Sequence, residues 1–207
     1  MSSNPSNTPG GRQRVRNPRG EGWRLREDLL AAAETLLDAG ISPDVISLRQ
    51  VARQAGVSPM APYRHFESNQ ALLGEVLTRR FEEFSATLIR GLALDDLTAS
   101  TAQRGLTMLA TRYVEQGRAN LVVYHAMFDS SLVATGGDNL PGVGLFETVV
   151  ALISACPGRL EPRPAARLFW CGLHGIVSLP GRATLVGWDT DETLIAQLVE
   201  LVTGDQA

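Results

Sequence analysis

From Trp23 onward, apolar residues return every three or four positions, and the strict alternation of a strand is scarce. Leu25, Leu29, Ala32, Ala33, Leu36 and Leu37 share one face over residues 23–39, with Gly40 as the stop. Leu48, Val51, Ala52 and Ala55 form a second, shorter stripe that ends at Gly56. Leu72, Leu73, Val76, Leu77, Phe81, Phe84 and Leu88 predict a long helix over 68–90. Helical spacing continues over 97–117, 119–128, 145–156, 162–179 and 190–202, interrupted by a glycine-rich loop at 135–144. The pattern predicts an all-α fold.

The stretch from Ser47 to Phe66 carries the sharpest local signals. Ser47 with Gln50 three residues later is a capping box, so a helix starts there. Gly56 supplies the positive φ that a residue just past a helix end needs. Ser58 then stands as a second cap, with Pro59 at the first helical position. Two capped helices around a tight glycine-containing turn match a helix-turn-helix, whose second helix enters the DNA major groove. Pro62 falls at the fourth position of that second helix and has no amide to give, so the helix is expected to start tight or irregular.

Composition changes this picture in three ways. The 207-residue chain has a net charge of -3, but residues 1–80 carry eleven Arg against eight acids, and the remainder is acidic. A basic front on an acidic body suits a protein that offers one end to a polyanion. Residues 1–22 are almost devoid of apolar side chains and contain Arg12, Arg14, Arg16 and Arg19; they read as a disordered basic arm, either lying along phosphates or merely solubilising. No apolar run approaches the roughly 20 residues of a membrane span and no signal peptide is visible, so the expectation is a cytoplasmic protein with reduced Cys156 and Cys171.

GVSPMAPYRHFESNQALL resembles the helix-turn-helix signature of TetR-family transcriptional regulators, and with the preceding helix the resemblance spans the first third of the chain. FWCGLHGIVSL is similar to a Trp, His-Gly pattern in the C-terminal domain of one TetR subgroup. The resemblance implies an N-terminal three-helix DNA-binding domain at 23–67 and a C-terminal helical ligand-binding and dimerisation domain at 68–207. It implies a ligand-responsive repressor without cofactor or catalytic residues, binding a pseudopalindromic double-stranded DNA operator as a homodimer, with two reading heads about 34 Å apart or a multiple of that.

By the same resemblance, Tyr63 and His65 reach phosphates while Pro59, Met60 and Ala61 approach base edges. Arg49 and Arg64 add hydrogen-bonding readout. The caps Ser47 and Ser58 belong to this face, as does Asn69, at a helix start that can hold a phosphate. For an unidentified small-molecule effector the sequence offers Met108, Tyr113, Tyr124, Met127, Phe128, Phe146, Trp170 and His174, with His125 nearby. Residues of these types at helical spacing equally pack a core. The broad faces of the last two helices point to a partner copy, through Phe169, Ile176, Val177, Leu194, Leu198 and Leu201. The competing class is a small enzyme or metal-binding helical protein using Cys171 and His174, one helical turn apart. No third ligand or triad partner stands at a suitable spacing, so a binding protein is the favoured class.

Overall fold

A computed structural model describes residues 22–129, 142–158, 160–179, 187 and 189–204. The basic arm up to residue 21 and most of the glycine-rich stretch lie outside the described residues. Among the described residues, eight α-helices occur in the order α1 (Gly22–Asp38), α2 (Leu48–Gln54), α3 (Asn69–Ile89), α4 (Ala99–Ala119), α5 (Leu121–Met127), α6 (Val143–Ser154), α7 (Pro162–Ser178) and α8 (Asp191–Thr203). No strand occurs among the described residues, and no helix there is long and apolar enough to cross a membrane.

The starts of these helices follow from local chemistry. Ser47, Ser68, Thr98, Asn120 and Thr190 each accept a hydrogen bond from a first-turn amide through the side chain, covering a donor that has no partner inside the helix. Thr98 with Thr101 repeats the reciprocal geometry of the Ser47–Gln50 box.

Two groups of helices share one core. α1 packs against both α2 and α3, and α3 runs on into the larger group of α4 to α8. The buried side chains form one continuous cluster from Leu29 in α1 to Val202 in α8. Polar pairs fix α3 on α1: the Arg26 guanidinium donates through two nitrogens to Glu75, and Arg79 donates to Glu27 at 2.7 and 2.9 Å. Arg80 reaches Asp38, at the end of α1. Asn120, the cap of α5, donates to the Leu37 carbonyl at 3.3 Å, a second tie between head and body.

Helix α4 is the axle of the body, touching α3, α5, α6, α7 and α8. Small residues make such crowding possible. A Cβ on Gly105 would stand 3.1 Å from Leu152, and one on Gly117 would stand 3.0 Å from both the Tyr124 ring and Val177. Arg112 donates to the Leu88 and Arg90 carbonyls at 3.2 and 2.7 Å, closing the C-terminus of α3. Arg118 bridges α7 and α8 by donating to the Ile176 carbonyl and to Asp191.

The glycines set up a contrast that equilibrium unfolding can read. Gly117→Ala gains about 1 kcal/mol of helix propensity but forces a methyl against a buried ring, which costs about 1–3 kcal/mol. The expected outcome is net destabilisation. In Gly144→Ala the new methyl meets nothing within 4 Å. That variant is expected to be more stable than the parent, by up to about 1 kcal/mol.

Candidate functional site

The reading surface is built from α2 outward. Leu48, Val51 and Ala52 are buried, which turns Arg49 and Arg53 to solvent. Ser47 accepts from the Gln50 amide at 3.3 Å, and the Gln50 side chain accepts from the Ser47 amide at 2.8 Å. At the far end Gly56 sits at φ +68°. Its amide returns to the Arg53 carbonyl at 3.2 Å and the Val57 amide to the Ala52 carbonyl at 2.9 Å, the paired closure of a left-handed C-terminus.

The next segment departs from the sequence expectation. No α-helix begins at Ser58; the chain makes successive tight turns ending in a 3₁₀ turn at Pro62–Arg64. The reason is the proline. In an α-helix the amide of residue 62 would bond to the Ser58 carbonyl, but Pro62 has none and its ring crowds that carbonyl. The Ala61 amide takes the bond instead, at 2.9 Å, with three-residue rather than four-residue spacing. Arg64 and His65 continue the spacing, bonding to Ala61 and Pro62. Pro62 and Phe66 are buried and anchor the segment, and the Arg26 guanidinium lies 5.0 Å from the centre of the Phe66 ring. Ser58, Pro59, Met60, Tyr63 and Arg64 face solvent, Met60 at 66% and Tyr63 at 50% exposure; Ala61 and His65 are half-buried.

Two predicted DNA contacts have other employment here. Ser47 is exposed, but its hydroxyl and amide are engaged in the capping box. Asn69 is turned inward and donates to the Ile46 carbonyl at 2.7 Å, clamping the start of α3 to the residue before the α2 cap. The outward residues that remain are Arg49, Ser58, Pro59, Met60, Tyr63 and Arg64.

In the body, the predicted ligand residues separate. Tyr113, Tyr124, Phe128, Trp170 and His174 come together, joined by Phe81 and Phe84 of α3. Tyr113 and Tyr124 share a hydroxyl–hydroxyl hydrogen bond of 2.9 Å, and the Tyr124 hydroxyl meets His174 Nδ1 at 2.7 Å. Burial, with Tyr124 beside it, pushes the Tyr113 hydroxyl far above its ordinary pKa, and burial raises Tyr124 to about 12. Burial, and then the neighbouring His125, depress His174. All three groups are therefore neutral at pH 7 and form one continuous hydrogen-bonded chain of hydroxyl, hydroxyl and imidazole.

Met108 and Phe146 stand apart from this cluster. Met108 is 41% exposed and lines an open groove of about 620 Å³ between α4 and α8, with Thr107, Ile195 and Val199. Phe146 is half-buried at the edge of the core, its ring 5.9 Å from the Arg163 guanidinium. Met127 is buried and, with Tyr124 and Phe84, lines a separate cleft between head and body. Phe81 and Phe84 were counted in sequence only as part of an apolar stripe; nothing in their spacing distinguishes a ring that meets another ring from one that meets a leucine.

The predicted partner face is corrected in the same way. Phe169, Ile176 and Val177 are buried inside the single chain, because the strong apolar side of α7 turns to α4 and α6. Leu194 and Leu198 are half-buried, and Gly172 takes the close approach of Leu198. The apolar side chains left outward are Leu168, Leu179 and Leu201, the last 57% exposed. Cys171 is exposed, and the Nδ1 of His174 is engaged by Tyr124. Among the described residues, no group of three or more His, Cys, Asp or Glu is placed to hold a metal.

The depressed His174 gives a signed pH dependence. Below the ordinary histidine value of about 6.5, the unfolded chain takes up a proton that the folded chain refuses. This share of stability is complete above that value and is lost as pH falls through the lower folded value. Denaturant titrations from pH 7.5 to 5.0 should show His174→Gln losing less stability than the parent, by at most about 1.4 kcal/mol per pH unit crossed.

No family model matches the chain, and no curated protein matches it. Solved structures do. A protein of unknown function from Rhodococcus sp. RHA1 is 25% identical, with 86% of this chain and 92% of that one covered at a TM-score of 0.68. A TetR-family transcriptional regulator from Vibrio parahaemolyticus is 18% identical over 86% and 97% of the two chains, TM-score 0.58. The transcriptional regulator FadR from Bacillus subtilis, solved with stearoyl-CoA, is 12% identical over 86% and 97%, TM-score 0.61. With eight helices in this order and a head of α1, α2 and the Pro62 turn riding on α3, the chain has the all-helical TetR-like fold.

Proposed function

We propose that this protein is a cytoplasmic, ligand-responsive transcriptional repressor that binds a pseudopalindromic operator as a homodimer and has no catalytic activity. The head, residues 23–67, reads DNA; residues 68–207 bind the effector and pair with a second copy. The observation that carries this reading is the rigid mount under Arg49, Met60, Tyr63 and Arg64: a doubly closed α2, a proline-locked turn and the Phe66 anchor, all on a TetR-like fold.

The chemistry of that surface defines how it would read. Met60, Pro59 and Ala61 offer apolar contact suited to thymine methyl groups, and Arg49 and Arg64 supply the guanidinium forks suited to guanine or phosphate. The ring cluster supports an effector site there, since a neutral Tyr–Tyr–His chain offers hydrogen bonding toward a polar group on an otherwise apolar ligand. Support for an effector of some kind comes from FadR, which was solved with stearoyl-CoA. A ligand preferring one spacing of the two heads lowers operator affinity by its differential binding energy and no more.

Selection from random duplex DNA should return a two-fold symmetric sequence; a pool with no such symmetry overturns the reading. On the selected duplex, Arg49→Ala is expected to reduce the slope of log affinity against log salt by about 0.9 for each phosphate it neutralises. Tyr63→Ala is expected to weaken binding about tenfold through a lost hydrogen bond to a charged oxygen, leaving that slope unchanged.

The partner face is tested separately. Leu201→Glu places a charge on the outward side of α8, and sedimentation should then show monomers where the parent sediments as a dimer. Leu168→Glu is expected to act in the same direction.

A further inference from the structure

Met60 and Tyr63 are large apolar side chains that the head leaves in water, and both belong to the reading surface. Trp23, in the first turn of α1, is another, at 65% exposure. An indole left in water forfeits the burial of a large apolar surface. The seating of α1 does not require it. The inward side of that helix is Leu29, Leu30, Ala33 and Leu37, and its first turns are held by Arg26, which bonds to Glu75 and lies over Phe66.

The position of Trp23 gives the exposed ring a use. α1 begins against the end of the Pro62–Arg64 turn: a Cβ on Gly22 would stand 3.9 Å from His65 Cε1, and the Arg26 guanidinium lies 5.0 Å from the centre of the Phe66 ring. Trp23 is thereby set at the edge of the reading surface, where the stretch from Met60 to Arg64 ends. Charge at this corner suits a polyanion. Residues 1–28 hold six Arg against Glu21, Glu27 and Asp28. Of those acids Glu27, one turn beyond Trp23, is taken up by Arg79. The arginines at 12, 14, 16 and 19 all precede Gly22, so the cationic segment joins the described chain here.

A tryptophan on the flank of a DNA-facing surface offers a flat apolar face and one N–H donor with no acceptor. Those features match a deoxyribose and a phosphate oxygen, and neither distinguishes one base pair from another. We propose that Trp23 docks the head on duplex DNA beside the bases being read, its ring face on a sugar and its Nε1–H donated to a phosphate. Such a contact fixes the register and tilt of the head without carrying sequence information. It rests on the DNA-binding part of the reading above, and needs neither operator symmetry nor an effector.

Binding isotherms of the full chain, on the selected duplex and on a scrambled duplex of equal length at several salt concentrations, test the proposal. Trp23→Ala is expected to lose about tenfold in affinity on both duplexes, with the ratio between them and the salt slope unchanged. Trp23→Phe keeps the apolar face without the N–H and should fall between. Since Trp23 is largely exposed, both variants should melt with the parent. The emission missing from Trp23→Phe belongs to Trp23, and acrylamide should quench that component less once duplex is added. Unchanged affinity in Trp23→Ala, a loss confined to the selected duplex, or equal quenching with and without DNA overturns the proposal. So does shielding that grows with protein concentration alone, which would assign the ring to a second copy. If the parent selects a symmetric operator and Trp23→Ala matches it, only this proposal falls. If the parent binds duplexes without selecting one, the repressor reading falls and the scrambled duplex still decides on Trp23.

Discussion

Helix α3 has to satisfy two sets of neighbours with one rigid rod, and the rest of the molecule is arranged around that requirement. Its first half lies against α1, with Glu75 and Arg79 gripped by Arg26 and Glu27. Its second half places Phe81 and Phe84 among the rings of α4 and α5. Because the apolar cluster is continuous through it, a displacement at Phe84 cannot be absorbed locally in a close-packed interior. The head must move with the rod, or the Arg80–Asp38 and Asn120–Leu37 ties must break. Neither tie is deeply buried, so both are weak enough to exchange.

Most of the helices were legible because their ends are written in short-range chemistry. The Ser47–Gln50 box needs only a neighbour three residues away, so sequence distance equals spatial distance. The long apolar stripes of α3 and α7 were equally plain. The error came at Pro62, where the capping signal of Ser58 and Pro59 was strong but a missing amide three residues on outweighed it. The expectation of an irregular start was right in kind and too small in extent: the tight spacing runs through Arg64.

The candidate sites were less legible, since they depend on which face of each helix turns inward. Phe169, Ile176 and Val177 looked like surplus apolar surface, yet α7 turns them toward α4 and α6, and Gly117 of α4 takes the close approach of Val177. Met108 was grouped with residues it never meets, since it lies on the side of α4 that faces α8. Asn69 was read as an exposed helix start, and only the fold brings the Ile46 carbonyl within its reach. The Arg80–Asp38 pair had no sequence signature at all, because it joins two helices across forty-two residues.

The proline-locked turn has an evolutionary corollary. Its backbone course is set by two pyrrolidine rings and by the inward anchors Pro62 and Phe66, none of which depends on what stands at Met60, Tyr63 or Arg64. Shape and chemical identity are thereby uncoupled in this short stretch. Lineages could exchange the outward side chains freely, acquiring new targets one substitution at a time, while the scaffold that presents them stays unaltered.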